Sequence, residues 1–271
     1  MIRVGSRDGW FNWLFLFVVS GFAQTGLLAG PELSADDVIQ KALARAQRAS
    51  VPQPAYTYTK VTLTEELDAF GNVKERKEKL YQVSLQDGST YLKLLAVNGH
   101  PAPDAELKKQ SENQALFRQL LGQPKSARGD HRENFLTPEL VARFKFTPAG
   151  QTPVNGRPAY QIAFQPRSTE PPARHVADRF LSRISGTVWI DAEEFEIARA
   201  DVRLGSALSL LGGVIGSLKK LAYTMTRTRV ADGVWLSTFS SGDFEGRKLV
   251  DSLRIKTSSR STNFRPLGFA S

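Results

Sequence analysis

The chain contains no cysteine. That excludes a disulfide framework, a thiolate metal centre and a cysteine nucleophile, while leaving the compartment open. Histidine is nearly as scarce, with three copies at His100, His131 and His175. His131 lies between carboxylates in Gly129-Asp130-His131-Arg132-Glu133, but a single histidine in a polar loop makes neither a metal set nor an acid–base pair. His100 and His175 read as surface residues. The chain also lacks a Walker loop, a dinucleotide glycine fingerprint and a Gly-X-Ser-X-Gly elbow. The sequence therefore predicts no catalytic residue, no metal site and no cofactor, and a protein that is not an enzyme. Beyond the first residues there is no apolar run near the ~18 residues that a membrane span requires.

Positive charge is plentiful. Thirty-six Lys and Arg stand against 27 Asp and Glu, a formal charge of +9. Such a surplus suits nucleic acid, anionic headgroups or an acidic partner. The basic residues are dispersed, however, and the densest run, Lys74 to Lys79, contains Glu75 and Glu78, as a solvated edge strand would. No reading helix or RNA-binding aromatic signature accompanies the charge, so a nucleic-acid partner is not expected.

The N-terminus carries the clearest local signal. Arg3 and Arg7 precede the apolar run Phe11 to Ala23, which ends in the small residues Gly21 and Ala23. This pattern predicts a secretory signal cleaved after Ala23. The alternative, an uncleaved anchor, would need a longer run. The expected product is an exported periplasmic protein, residues 24–271 forming one domain, since no Pro-, Gly- or Ser-rich linker divides it.

The mature chain reads as α+β, mainly antiparallel. Its organising stretch is Gly186 to Leu204, two strands around an acidic turn. Val188 and Ile190 point one way and Trp189 the other. Asp191, Glu193 and Glu194 in that turn read as solvated charges that keep an edge soluble. Helices are expected over Pro31–Ser50, with Ser34 as N-cap and Val38, Ile39, Ala42, Leu43 and Ala46 on one face, and over Pro103–Leu121. Shorter helices are expected at Pro138–Phe144, after Thr137, and at Arg174–Ser185. Strands are expected at Tyr56–Glu66, Val73–Leu85, Tyr91–Val97 and on both sides of Asn155-Gly156. Later strands follow Leu221 and Val234, with a turn at Phe244–Gly246 and a last strand near Leu249–Ile255. The segment Ala207 to Leu218 is apolar and holds Gly212, Gly213 and Gly216. It reads either as a buried crossover or short helix, or as a mobile flap over an apolar groove. The aromatic residues, 16 Phe, six Tyr and four Trp, suit the concave side of a curved sheet or a filled core equally well.

Gly186-Thr-Val-Trp-Ile-Asp191, Ile197-Ala-Arg199, Asp232-Gly-Val-Trp235 and the strand near Leu249 to Ile255 resemble the bacterial outer-membrane lipoprotein-sorting group, the LolA-like proteins and their LppX-like relatives. The resemblance covers about the C-terminal third. It implies a strongly curved antiparallel sheet, an unclosed half-barrel, with helices covering its concave face. It further implies carriage of lipids or lipid-modified proteins by hiding acyl chains in that cavity, and an arginine inside the cavity coupled to lid opening. The long segments around 121–133 and 165–185 depart from a compact carrier.

The expected function is thus a periplasmic carrier or binder of a lipid or lipid-modified protein. Its partners would be acyl chains, an inner- or outer-membrane transfer partner and a membrane surface touched peripherally. The expected lipid contacts are Trp189, Leu210, Leu211, Val214, Ile215, Tyr223, Met225 and Trp235, with Arg199 and Arg203 as basic residues of the cavity or its rim. The competing expectation is a non-catalytic envelope module with the same fold, a filled core and a role in protein contacts.

Overall fold

A computed structural model describes residues 33–48, 55–86, 89–120, 136–168, 176–210, 216–248 and 251–267. Helix α1 (Ala35–Arg48) leads into β1 (Tyr56–Leu67), β2 (Val73–Gln86), β3 (Ser89–Val97) and the two-residue β4 (His100–Pro101). Helices α2 (Asp104–Leu120) and α3 (Pro138–Arg143) precede the pair β5 (Phe144–Gln151) and β6 (Ala159–Pro166). After α4 (Val176–Leu181) come β7 (Ile184–Asp191), β8 (Ile197–Leu204), β9 (Leu208–Leu210), β10 (Gly216–Ala231), β11 (Val234–Lys248) and β12 (Asp251–Pro266). Among the described residues no helix is long and apolar enough to cross a membrane.

All these strands join one antiparallel sheet, in the order β4-β3-β2-β1-β12-β11-β10-β8-β7-β6-β5, with β9 attached to β10. The last strand pairs with the first, Thr62 opposite Ser259 and Tyr56 opposite Pro266, so the two sequence halves share one surface. The two outer strands do not meet, and the sheet is an unclosed half-barrel. Tight turns follow from local chemistry. Asn98-Gly99 and Asn155-Gly156 adopt positive φ throughout, the conformation that asparagine and glycine tolerate in two-residue hairpins.

Close strand approach depends on missing side chains. A Cβ on Gly186 would stand 1.9 Å from the Asp201 carbonyl oxygen, and one on Gly246 would stand 2.3 Å from that of Ser217. The bend of β7 against β8 therefore requires glycine at position 186. Register shifts between Thr57 and Thr59 and between Thr226 and Arg227 add the local twist that β-bulges supply.

Several expectations change here. Phe244 to Gly246 is no turn. β11 runs through it to Lys248, because alternate residues Ser240, Gly242 and Phe244 stay in register with Met225, Tyr223 and Leu221. The last strand is also much longer than expected, extending to Pro266 through the serine-rich stretch 257–262. Within 207–218, Leu208–Leu210 forms a strand paired with Gly216–Leu218 rather than a helix; residues 211–215 lie outside the described residues. So do His131, His175 and residues 1–32.

Candidate functional site

Helix α1 is built by its own sequence. Ser34 Oγ accepts the Asp37 backbone N–H at 3.1 Å, while the Asp37 carboxylate accepts the Ser34 hydroxyl at 2.6 Å. This reciprocal cap fixes the helix start. Val38, Ile39, Ala42, Leu43 and Ala46 then fall on one buried face against Ile162, Val188, Ile190, Ile197 and Met225 of four strands. Val38 and Ile39 each keep 1% exposure, a burial that contributes about 1.5–3 kcal/mol per side chain.

Strand register shows what lies on the rest of that concave face. Lys79, Thr62, Ser259, Ser240, Met225, Ala200, Val188 and Ile162 stand opposite one another in a single row from β2 to β6. The row is apolar under α1 and turns polar at β11. Farther along β1 and β2 a second apolar cluster gathers Tyr56, Tyr58, Val83 and Leu85 with Val234 and Leu236. Between the two clusters lies a cavity of about 130 Å³, whose lining includes Tyr58, Lys60, Tyr223, Met225, Ser240 and Ser261. On the same face, α2 docks through Glu106, whose carboxylate meets Lys79 at 2.7 Å and Lys77 at 3.3 Å. The Lys79 bond leads in holding that carboxyl below its ordinary range.

One end of the concave face is closed by ion pairs. Arg45, near the C-terminus of α1, donates to the Gly233 carbonyl at 2.9 Å and lies 3.3 Å from Glu196. Glu196 also pairs with Arg227 at 2.9 Å, and Arg227 donates to the Trp235 carbonyl at 2.7 Å. Glu194 accepts the Trp235 indole N–H at 2.8 Å and pairs with Arg229. Beside them Asp191 is fully buried. Arg157 donates to its two oxygens at 2.7 and 3.0 Å, and the Glu194 and Glu193 backbone N–H groups donate at 2.8 and 3.1 Å. Burial pushes the Asp191 carboxyl up, but the Arg157 bond and the two N–H groups outweigh it and hold the group below the usual carboxylate range.

The acidic turn is thus not the solvated edge expected of it. Glu193 remains at the surface, whereas Asp191, Glu194 and Glu196 face inward because arginines from three separate segments, α1, the turn at Arg157 and β10, converge on them. Composition could not show this convergence, although the spacing Asp191, Glu194, Glu196 beside Arg227 and Arg229 carries its trace.

The expected lipid contacts separate into groups. Tyr223 and Met225 line the concave cavity together. Trp235 is buried, but its indole is held by Glu194 at the closed end and the Arg157 guanidinium sits 5.8 Å from its ring centre. Trp189, Arg199 and Arg203 lie on the opposite, outer face. Trp189 alternates with the buried Val188 and Ile190, and Arg199 stacks on its ring at 4.7 Å while pairing with Asp201. These three are therefore withdrawn as cavity or groove residues, since strand alternation turns them away. Leu210 belongs to β9, and Leu211, Val214 and Ile215 lie outside the described residues. Sequence reasoning missed Lys60, Ser240, Ser259 and Ser261, whose shared face appears only once β1, β12 and β11 are paired.

No family model matches the chain, and no curated protein does either. Solved structures similar in fold include an outer membrane lipoprotein-sorting protein domain from Vibrio parahaemolyticus, 11% identical, covering 86% of this chain and 93% of that one with a TM-score of 0.36. A LolA superfamily protein from Nitrosomonas europaea is 9% identical over 88% and 96% of the two chains, with a TM-score of 0.32. The Mycobacterium tuberculosis lipoprotein LppX is 10% identical over 87% and 99%, with a TM-score of 0.30. Their names fall in the group that the hairpin residues resemble. At these scores the likeness carries no functional argument.

Proposed function

We propose that this chain binds an amphiphile, a lipid or the acyl chains of a lipid-modified protein, on the concave face of its half-barrel. The observation that carries this reading is the division of one continuous sheet face into two apolar clusters with a cavity between them. Each methylene buried there would contribute about 0.8 kcal/mol. The cavity is smaller than the roughly 300–1,000 Å³ of typical ligand pockets, so a chain enters only as α1 or α2 withdraws. An acyl chain taking the place of α1 would cover the same Ile162, Val188 and Met225 surface, offsetting the cost of uncovering it. Arg45 and Arg227, joined through Glu196, make the latch such a lid requires.

This reading places the mature protein in the periplasm after cleavage behind Ala23, as a non-enzymatic carrier that meets a membrane surface or a transfer protein when loading. The tight packing of Val38, Ile39, Ile162 and Ile190 favours a second reading, a filled-core envelope module acting through protein contacts. The two separate on uptake of N-phenyl-1-naphthylamine, an apolar fluorophore, by residues 24–271. The carrier reading expects saturable uptake that Ser240→Phe, filling the cavity from β11, abolishes while the near-ultraviolet circular dichroism is retained. A wild-type chain that takes up no probe would leave the filled-core module.

A further inference from the structure

We infer that the end of the half-barrel opposite the ion pairs rests on an anionic lipid membrane, with Phe70 inserted among the lipids. This rests on the amphiphile-binding reading and assigns the surface through which that ligand arrives.

Strand register separates the two ends. Along β11, Trp235 stands at the ion-paired end and Ser240 lines the cavity. Lys248 stands at the far end, opposite Gly216 of β10 and Asp251 of β12. The pairing of Glu66 with Ile255 brings the β1–β2 turn, residues 68–72, to that same far end. Phe70 at its tip keeps 89% exposure, the most of any large apolar side chain among the described residues, and Val73 beside it keeps 52%. The turn is fixed from within and from its neighbour. The Asp68 carboxylate accepts the Phe70 and Asn72 backbone N–H groups at 2.8 and 2.9 Å, and Arg254 of β12 donates to the Ala69 carbonyl at 3.0 Å. A turn ordered in advance loses little further freedom when its ring is buried in a partner.

Charge names that partner. Glu65, Glu66, Asp243 and Glu245 at this end pair with Arg76, Lys74, Lys220 and Arg254. Lys219, Arg247 and Lys256 are exposed and, among the described residues, join no ion pair. Against these three cations stands Asp68, whose carboxylate is taken up by its own turn. An exposed aromatic tip beside surplus cations suits the boundary of an anionic bilayer, where the ring enters the apolar layer and the cations meet the headgroups. The concave face leads there as well. Beyond Tyr223, Leu221 stands opposite Phe244 and Phe244 opposite Ile255, an apolar path from the cavity toward this end.

Flotation of residues 24–271 tests this with vesicles of phosphatidylethanolamine and phosphatidylglycerol in equal parts, or of phosphatidylcholine alone. The wild type should bind the anionic vesicles at least about tenfold more tightly, the scale of two net charges at the surface. Phe70→Ser should weaken that binding about tenfold or more, the scale of one buried phenylalanine. Lys219→Gln combined with Arg247→Gln should remove the preference for anionic vesicles. In Phe70→Trp, brominated acyl chains should quench fluorescence beyond the loss seen in the wild-type fragment, whose tryptophans are Trp189 and Trp235. Equal binding to both vesicles, full binding by Phe70→Ser, or no added quenching in Phe70→Trp would overturn the inference. Uptake of N-phenyl-1-naphthylamine by the wild type in free solution reads the cavity separately. Uptake without vesicle binding overturns this inference alone and leaves Phe70 to a protein partner. A chain that takes up no probe refutes the underlying reading instead.

Discussion

Replacing Asp191 with alanine should be among the most costly single changes in this protein. The side chain has no exposed surface and collects four donors, two from Arg157 and two from the turn backbone. The substitution strands two N–H groups and leaves Arg157 with the more exposed Glu193, at 2.8 Å, in place of its buried carboxylate. Breaking a buried pair from one side costs about 3–5 kcal/mol. For a domain of this size each kcal/mol moves Tm by roughly 2–4 °C, which predicts a fall of about 6–20 °C. Asp191→Asn keeps the oxygen that takes both backbone donors but loses the charge and the second acceptor for Arg157, so it should cost less than alanine. The folded-state pKa of Asp191 lies below its unfolded value of 3.8. Its stabilisation is therefore full above that value and lost as pH falls through the folded pKa. Urea melts followed by circular dichroism at pH 7 and at about pH 3 should show the gap between wild type and Asp191→Asn narrowing in acid. A cost for Asp191→Ala under about 1 kcal/mol, with a gap indifferent to pH, would restore the picture of a solvated turn.

Two further changes probe the sheet and its lid. Gly186→Ala drives a methyl group into the Asp201 carbonyl and should destabilise by at least about 1–3 kcal/mol in the same melts; a neutral result would mean that β7 and β8 can part without loss. Arg45→Ala removes the bond to Gly233 and the pair with Glu196. Amide exchange in α1 should then accelerate about tenfold or more, one charged bond of 1.5–3 kcal/mol being lost, while β1 and β2 keep their protection. Unchanged exchange in α1 would show that apolar packing alone holds it.

Much of this architecture was legible in the sequence because its signals are local. The Ser34 cap, the 3.6-residue apolar period of α1, the Asn-Gly hairpins and the alternation around Val188 all act within a few residues. The fold class and the order of most elements followed from them. Features that depend on distant pairing were not legible. The last strand was expected near Leu249–Ile255, and its continuation through the serines of 257–262 shows only once β1 and β11 flank them. Phe244 to Gly246 resembled a turn because glycine near an aromatic is also a turn signature, whereas here glycine makes room for a neighbouring strand. The site suffered most. Trp189 and Tyr223 are both aromatic strand residues, and only register shows that they occupy opposite faces. Asp191 looked exposed because its arginine partners come from the turn at Arg157 and, for the neighbouring glutamates, from α1 and β10.

The central claim is that the concave face holds an amphiphile. Native mass spectrometry of the full chain purified from its own cell envelope, before and after organic extraction, tests it most directly. The account predicts a bound species of lipid or lipoprotein mass that extraction removes and that added palmitate or lysophosphatidate replaces. Protein at its bare mass in every sample, with no uptake of added lipid, would contradict it.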